Sequence, residues 1–508
     1  MPTPVTLTVG PLSVADVVAV ARDNTRVTVS PAARAAIEAS RTHVTNCLTD
    51  GEAHYGINTG FGSLSRKRIA PDQLQQLQTN LIRSHAAGIG TPLPVDTTRG
   101  MMLLLAASLS RGHSGVRPQV VELLVEMLNR GVTPVVPSIG SVGASGDLAP
   151  LAAIGLAMLG EGKVWVAPAK LPSPPTQFPA NHALQHAGLS PITLEAKEGL
   201  AIINGTHLMA SMGALLVHDA TRLMDAAIAA CAMAIDASRA SHSFLDARVH
   251  VARNQEGQKF VAERVRRHLS SSQIVESHKD NDPRVQDPYC LRCAPQVLGA
   301  SWDCLSYVKQ SIERELGAVT DNPLVFSDVI LSAGNFHGMP LAIPLDAACT
   351  AIAHIAGISE RRTFWMLSAH DPESHLPPYL AKGAGLSSGL MIAQYVAAAC
   401  CNEIITLATP ASVSNISTSA GIEDYNSFGP RAGAKATRAL ELARSVVAIE
   451  LMCAAEGLEY HRPLKSGAGV ERAYEVVRSL VPRLEHDRPP GPDIEVISGA
   501  IASGRFAV

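Results

Sequence analysis

The chain has 508 residues, of which 46% are hydrophobic, 17% are charged and 4% are aromatic. Its 42 basic and 45 acidic residues give a formal net charge of −3. A globular chain of this length can bury a large core without disulfides or structural metals. The balanced charge excludes the strongly basic surface that nucleic acid or an anionic membrane requires, so neither is expected as a partner.

The first 200 residues have a mixed pattern. Short runs rich in β-branched residues predict strands at 7–9 and 26–29. A helix is predicted at 118–130, because a proline occupies its first turn and Gly131 follows its last turn. The proline-rich stretch at 168–179 fits neither a helix interior nor a central strand, and it predicts an excursion on the surface.

Beyond residue 204 the chain is rich in Ala, Leu and Met and poor in strand-forming residues, which predicts long buried helices. These segments are 207–240, 295–317, 341–367, 387–408 and 432–456, with polar loops at 273–288, 370–378 and 412–431. The longest uninterrupted apolar run of this half, 226–235, is too short to span a bilayer. We therefore expect a mainly α protein, with a mixed N-terminal domain at 1–203 and a long-helix bundle at 204–508.

Nine cysteines are present, an odd number without regular spacing, which argues against a disulfide framework. Cys290 and Cys293 form a C-x-x-C pair, but no second pair follows, and a structural zinc site needs four ligands. The N-terminus has no basic region of the kind that opens a signal peptide. These features predict a cytoplasmic protein with reduced thiols and no metal requirement.

The loop Ala144-Ser145-Gly146, which lies between Gly143 and Asp147, has three interpretations. It can be an ordinary turn before a helix, or it can present Ser145 as a hydrolase nucleophile, although the G-x-S-x-G elbow is absent. In the third interpretation the Gly146 nitrogen attacks the Ala144 carbonyl carbon, and two waters leave, including the Ser145 hydroxyl. The resulting five-membered ring carries an exocyclic methylene, an electrophile that no ordinary side chain provides.

Eight segments distinguish between these interpretations. They read YGINTGFG at 55–62, SHAAGIG at 84–90, ASGDLAP at 144–150, NGT at 204–206, QDPYCLRCAPQ at 286–296, TDNPL at 320–324, GNFH at 334–337 and TSAGIED at 418–424. Together they resemble the methylidene-imidazolone ammonia-lyases and aminomutases of aromatic amino acids, and most closely the histidine-specific branch. The resemblance runs from residue 55 to the C-terminus.

The resemblance implies a role for eleven residues and a cofactor made by the chain itself, 4-methylidene-imidazol-5-one. That ring would form from Ala144, Ser145 and Gly146, and Tyr55 would be the base that removes the β-proton of the substrate. Arg292 would bind the substrate carboxylate through its bidentate guanidinium group. Hydrogen bonds to the ring oxygen or the substrate would come from Asn204, Gln286 and Tyr289, and Phe336 would orient the electrophile by packing.

His85 and Glu423 correspond to the positions that surround the substrate imidazole in the histidine-specific branch. A ring with two nitrogens needs one partner that donates and one that accepts. A buried glutamate beside a phenyl ring would be costly to desolvate, so Glu423 favours a polar ring. The resemblance therefore implies that L-histidine is converted to urocanate and ammonia.

Alternative functions are phenylalanine or tyrosine ammonia-lyase, a 2,3-aminomutase of the same family, or an inactive scaffold in which the ring does not form. Departures from the histidine pattern at His207, Met339 and Asn426 keep the substrate open. The resemblance also implies an ammonia-lyase/aspartase-like helical bundle. It further implies a homotetramer whose active sites are shared between subunits, with an amino acid as the small-molecule substrate.

Overall fold

A computed structural model describes residues 3–50, 52–60, 62, 66–166, 176–280, 282–383 and 385–507. Most of these residues are helical, and the predicted mainly α fold is confirmed. The helices are α1 Val14–Ala21, α2 Pro31–Cys47, α3 Leu74–His85, α4 Val95–Ser110, α5 Pro118–Asn129, α6 Leu148–Met158, α7 Ala180–His186, α8 Glu198–Ile203, α9 His207–Ala237, α10 Ala247–Arg253, α11 Glu256–His268, α12 Gln273–Ser277, α13 Tyr289–Arg292, α14 Ala294–Glu315, α15 Met339–Ser368, α16 Met391–Leu407, α17 Gly429–Glu459, α18 Ala468–Arg478 and α19 Gly491–Ala502. The strands are β1 Val5–Leu7, β2 Val27–Val29, β3 Ile89–Pro92, β4 Val132–Pro134, β5 Pro137–Ile139, β6 Lys163–Val166, β7 Thr176–Pro179, β8 Leu324–Val325 and β9 Ile330–Leu331.

The chain divides into two compact units, each built from separate stretches of sequence. The first unit contains Met1–Leu215, Lys309–Leu345 and Ala411–Ala434, and the second contains Leu216–Val308, Asp346–Pro410 and Lys435–Val508. The domain boundary between residues 203 and 204 stays a prediction. Two later segments join the first unit, and a linear division of the sequence cannot represent them.

The first unit is organised around α4, in which every residue from 97 to 110 is buried. Helices α1 and α5 pack against α4, while α3, α6 and α8 pack against one another. A helix that is buried on all sides belongs to the centre of a core. The group α3, α6 and α8 carries or flanks several of the motif residues, so this core sets their positions.

Within the part of the chain that the structure describes, four small sheets complete the first unit. Strands β1 and β2 pair in parallel, and β1 ends two residues earlier than predicted because Gly10 N–H turns back to donate to Thr8 Oγ1 at 3.0 Å. The order β4-β6-β7 places β7 at a sheet edge, where its last residue, Pro179, is tolerated. The other prolines of the predicted excursion, at 168–175, lie outside the described residues.

The five predicted long helices are present as α9, α14, α15, α16 and α17, with ends within a few residues of the predicted ones. The predicted loop at 273–288 is wrong in its first part, which forms α12. Ser272 begins that helix by accepting a hydrogen bond from Val275 N–H at 3.1 Å on its hydroxyl oxygen. Serine is a strongly favoured residue at a helix N-cap, so the sequence did contain this signal.

Among the described residues, α15 is the one helix long and apolar enough to cross a membrane by length and composition. In its most apolar window 67% of the residues are buried within the chain. Core helices of large proteins pass the same length and hydropathy test, so these criteria do not distinguish a core helix from a membrane span.

Candidate active site

The loop between β5 and α6 carries the segment from which the electrophile would form. Gly143 and Gly146 adopt left-handed backbone conformations, with φ of +67° and +73°. Gly146 pairs with Gly205 in a parallel β-bridge, and Asp147 N–H donates to the Gly205 carbonyl at 2.7 Å. A Cβ at position 146 would lie 2.1 Å from the Gly205 oxygen, so only glycine fits this close approach.

Asp147 fixes the end of this loop. Its side chain is fully buried and accepts hydrogen bonds from the backbone N–H groups of Leu208 at 2.9 Å and Met209 at 3.2 Å, in the first turn of α9. Ser141 donates to its other oxygen at 3.0 Å. Burial raises the pKa of Asp147 to about 7, although these three donors oppose the rise. The loop is thereby attached to the start of α9, directly after the NGT motif at 204–206.

A cavity of about 810 Å³ opens beside this loop, within the first unit. Its volume suits a small organic ligand. Seven of the predicted site residues line it, namely Tyr55, His85, Ala144, Ser145, Asn204, Phe336 and Glu423. Gly146 is absent from the lining because it faces Gly205. The sequence motifs that lie far apart in the chain therefore meet at one place.

Helix α3 supplies one wall of the cavity through a single face. Leu77, Asn80, Leu81, Ser84 and His85 all line it, and their spacing is that of neighbours on one side of an α-helix. Sequence reasoning identified His85 and missed Asn80. Helical periodicity counted backwards from His85 would have found it.

Tyr55 lies on the loop that follows α2, with its phenol facing the cavity. The phenolic oxygen accepts a hydrogen bond from Gly62 N–H at 3.3 Å. The loop is held by His54 N–H, which donates to Asn58 Oδ1 at 2.7 Å. Lys67 lines the same cavity and was not singled out from the sequence, because it lies outside the motif.

His85 ends α3, and its ring Nδ1 lies 2.9 Å from the carbonyl oxygen of Leu81. Since a carbonyl only accepts, Nδ1 carries the proton and Nε2 is the nitrogen that can bind a ligand. Burial lowers the pKa of His85, and the nearby negative charge of Glu423 partly opposes this effect. His85 is consequently neutral at pH 7.

Glu423 lies in a small hairpin that its own neighbours stabilise. Thr418 N–H donates to the Glu423 carbonyl at 2.8 Å, and the Glu423 N–H returns a bond to Thr418 at 3.3 Å. The hairpin is closed at its base by Asn415 and Asn426, which exchange two hydrogen bonds of 3.1 Å. We call this closed segment, residues 415–426, the asparagine clasp. It places the Glu423 carboxylate in the cavity, 3.2 Å from the Ser145 hydroxyl.

Gln286, Tyr289 and Arg292 lie in the second unit and do not belong to the lining of this cavity. They line another cavity, of about 500 Å³, together with Trp365 and His370. The Arg292 guanidinium lies 4.5 Å above the ring of Tyr289 and donates through Nε to a backbone carbonyl at 2.8 Å. Within one chain, Arg292, which is predicted to bind the substrate carboxylate, therefore lines a different cavity from Tyr55 and Ser145.

The three departures from the histidine pattern do not line the main cavity. Asn426 is fully buried as part of the asparagine clasp. His207 is buried at the start of α9, where neither ring nitrogen has a hydrogen-bond partner within the described residues. Met339 begins α15, and it too is absent from the cavity lining. Their effect on substrate choice through direct contact is therefore small.

All nine cysteines are among the described residues, and all are free thiols. One group of metal-ligand type, Cys47, Asp50 and His54, has its ligand atoms within 4.8 Å of one another. The His54 Nε2 lies 2.8 Å from an Asp50 carboxylate oxygen, so these two side chains already satisfy each other. We assign no metal to the group.

The fold and the cavity place the chain in a known class of helical lyases. The chain is 37% identical to histidine ammonia-lyase from Trypanosoma cruzi, with a TM-score of 0.91 over 99% of this chain and 94% of that one. It is 32% identical to a tyrosine aminomutase from Streptomyces globisporus, with a TM-score of 0.92 over 99% of this chain and 98% of that one.

The model of the aromatic amino acid lyase family matches residues 12–479. The chain belongs to this family and is a carbon–nitrogen lyase. Histidine ammonia-lyase of Stigmatella aurantiaca is 45% identical over 497 residues, which are 97% of this chain and 96% of that protein.

Proposed function

We propose that this enzyme eliminates ammonia from L-histidine and produces urocanate. One observation carries the proposal: Glu423 and His85 line the same cavity as Tyr55 and Ser145. The unprotonated Nε2 of His85 and the Glu423 carboxylate are both acceptors, and a protonated imidazole donates from both of its ring nitrogens, whereas a phenyl ring has no donor. A phenyl ring in this cavity would cover the half-buried Glu423 carboxylate without offering it a hydrogen-bond donor. The names of the relatives at 42–46% identity support the same substrate.

The electrophile proposed for this reaction is 4-methylidene-imidazol-5-one, formed from Ala144, Ser145 and Gly146. The loop fits this group, because Gly146 is left-handed, carries no Cβ, and lies tightly against Gly205. Ring closure joins the Gly146 nitrogen to the Ala144 carbonyl carbon, whose oxygen leaves as one water with the amide hydrogens of Ser145 and Gly146. The second water takes the Ser145 hydroxyl and the Ser145 Cα hydrogen. When formed, the ring supplies an electrophilic methylene carbon to the cavity.

Tyr55 is the proposed base for the β-proton. Its phenolic oxygen accepts a hydrogen bond from Gly62 N–H, which holds the phenol in place at the cavity, where a base must lie within reach of the proton it removes. His85 offers Nε2 to the imidazole from one side, and Glu423 offers its carboxylate from another. Together they orient the ring so that its side-chain β-carbon is held beside Tyr55.

Arg292, Tyr289 and Gln286 are proposed to act across a subunit boundary, in a homotetramer whose active sites are shared. Two observations support this arrangement. The three residues line a cavity that contains none of the other site residues. In addition, α16 exposes large apolar side chains, with Ile392 at 54% and Ile405 at 66%, which a second copy of the chain would cover. A cytoplasmic location is proposed from the nine reduced thiols.

The test combines a mass measurement with a substrate panel. Wild-type protein should lack the mass of two waters and release ammonia from L-histidine much faster than from L-phenylalanine or L-tyrosine. Ser145→Ala should fold, keep the unmodified mass, and lose nearly all activity. Ring-bearing protein that ignores L-histidine while deaminating or isomerising another aromatic amino acid would establish the alternative lyase or aminomutase activity instead.

A further inference from the structure

A buried ion pair lies directly behind the cavity. Lys197 is fully buried, and its Nζ donates to Asp321 Oδ2 at 2.6 Å. The Asp321 side chain is 3% exposed, so water does not screen the two charges. Burial lowers the pKa of Lys197, and the carboxylate of Asp321 opposes that change by favouring the ammonium form. Neither residue lines the cavity.

The other oxygen of this carboxylate faces a site residue. Asn204 Nδ2 lies 3.4 Å from Asp321 Oδ1 and donates to the carbonyl oxygen of Asn322 at 3.1 Å. Asn322 N–H in turn donates to Asp321 Oδ1 at 2.6 Å. Asp321 thus connects a buried ammonium group to the amide of Asn204, which lines the cavity.

The same carboxylate also connects the two ends of α8. Lys197 precedes the helix in a left-handed conformation, with φ of +76°, and Asn204 follows its last residue. A left-handed lysine is strained, and such strain persists only where surrounding contacts hold it. Gln78 fixes the first turn by accepting from Gly199 N–H at 2.8 Å. The helix is therefore held at both ends through one ion pair.

A buried ion pair of this kind contributes little net stability to a core, because burying its two charges costs desolvation free energy. Removing two charges from water costs several kcal/mol per ion, and apolar residues of similar size often serve stability equally well. The pair fixes the orientation of the Asp321 carboxylate. Because Lys197 holds one carboxylate oxygen, the other oxygen stays directed at the Asn204 amide. The geometry indicates that placement of Asn204 is the purpose of this pair.

We propose that Lys197 and Asp321 are positioning residues that fix the side chain of Asn204 for the ammonia-lyase reaction. This inference rests on the proposed function and on the role that the family resemblance implies for Asn204, a hydrogen bond to the ring oxygen or the substrate. Lys197 touches neither of them and acts through Asp321. Its removal should therefore affect the turnover of correctly folded, ring-bearing enzyme.

The test is a double-mutant cycle with Asn204→Ala, using L-histidine as the substrate. Lys197→Met should lower kcat roughly tenfold to a hundredfold, the scale expected when a reacting group is displaced by about 1 Å. In the Asn204→Ala background, the same change should alter kcat less than about twofold, because the residue on which Lys197 acts is already gone. The mass lacking two waters should persist in every variant.

Two further variants keep the test decisive. Lys197→Met with Asp321→Asn leaves no unpaired buried charge, so it gives a folded protein if Lys197→Met alone does not. Lys435→Met is the matched control, because Lys435 forms another buried pair with Asp346 at 2.9 Å in the second unit. It should lower thermal stability, leave kcat unchanged, and show no coupling to Asn204→Ala.

Three outcomes would overturn the inference: unchanged kcat in the folded Lys197 variants, effects that add to those of Asn204→Ala, or loss of the ring in the Lys197 variants. The last result would mean that Lys197 acts on ring formation and not on Asn204. Failure of the proposed function is separate, since wild-type protein would then release no ammonia from L-histidine.

Discussion

The Ser145 hydroxyl donates a hydrogen bond to Glu423 Oε1 at 3.2 Å, although 278 positions separate the two residues in the sequence. One residue belongs to the loop that is proposed to form the electrophile, and the other is proposed to recognise the substrate ring. The proposed ring closure removes this hydroxyl, so the contact belongs to the chain before the ring forms, and it places Glu423 next to the loop. A substrate bound to Glu423 is therefore held beside the reacting loop.

Glu423→Gln should lower kcat/KM for L-histidine, which corresponds to a loss of about 1–3 kcal/mol in transition-state stabilisation, because an imidazole N–H loses its charged acceptor. Residual turnover of L-phenylalanine should fall less, or rise, since a phenyl ring gains when a buried charge is removed. Steady-state kinetics on both substrates measure the difference. An equal loss of kcat/KM for both substrates would mean that Glu423 does not distinguish an imidazole ring from a phenyl ring.

Tyr55→Phe should lower kcat strongly and change KM little, because the ring packing remains while the proton acceptor is lost. The mass lacking two waters should be retained, which separates loss of the base from loss of the electrophile. A variant with raised KM and normal kcat would show that Tyr55 only binds the substrate.

Gly146→Ala should remove both activity and stability. The added Cβ would lie 2.1 Å from a backbone oxygen, at a residue whose φ is already +73°. We expect a loss of roughly 2–3 kcal/mol in the free energy of unfolding, measured by denaturant titration. Gly499→Ala is the control, because its Cβ meets nothing within 4 Å on α19, and it should stabilise the helix by up to about 1 kcal/mol.

Because His207 is buried, we expect the free energy of unfolding to fall in mild acid. Burial lowers its pKa to about 3 from 6.5, and the charge of Arg111 adds to the effect. Between those pH values the unfolded chain binds a proton that the native chain does not, so the free energy of unfolding falls as the pH falls. From pH 7 to pH 5 this one residue should cost about 2 kcal/mol.

Denaturant titrations of His207→Gln at both pH values check this expectation, because the variant should lose that part of the pH dependence. His182→Gln, at an exposed position on α7, serves as the control and should behave as the wild type. An unchanged pH dependence in His207→Gln would refute the assignment.

Sequence alone predicted much of the fold, because the long helices are rich in Ala, Leu and Met over many turns. It also predicted seven residues that line the main cavity, since the motifs that contain them are specific, but it missed Asn80 and Lys67, which lie outside those motifs. It could not place Arg292 relative to Tyr55, because that relation depends on long-range packing and, in our proposal, on another subunit. Lys197 escaped notice as well: an isolated lysine gives no sign of being buried, and its partner lies 124 positions away.

The asparagine clasp has a consequence for how such an enzyme can change during evolution or in the laboratory. Asn415 and Asn426 anchor the segment that carries Glu423, and neither anchor lines the cavity. Residues between the anchors can therefore be exchanged as a cassette, while the loop at 144–146 and Tyr55 stay in place. New substrate preferences can arise by changing about ten residues, roughly the length of a short surface loop, while the residues that carry out the reaction stay unchanged.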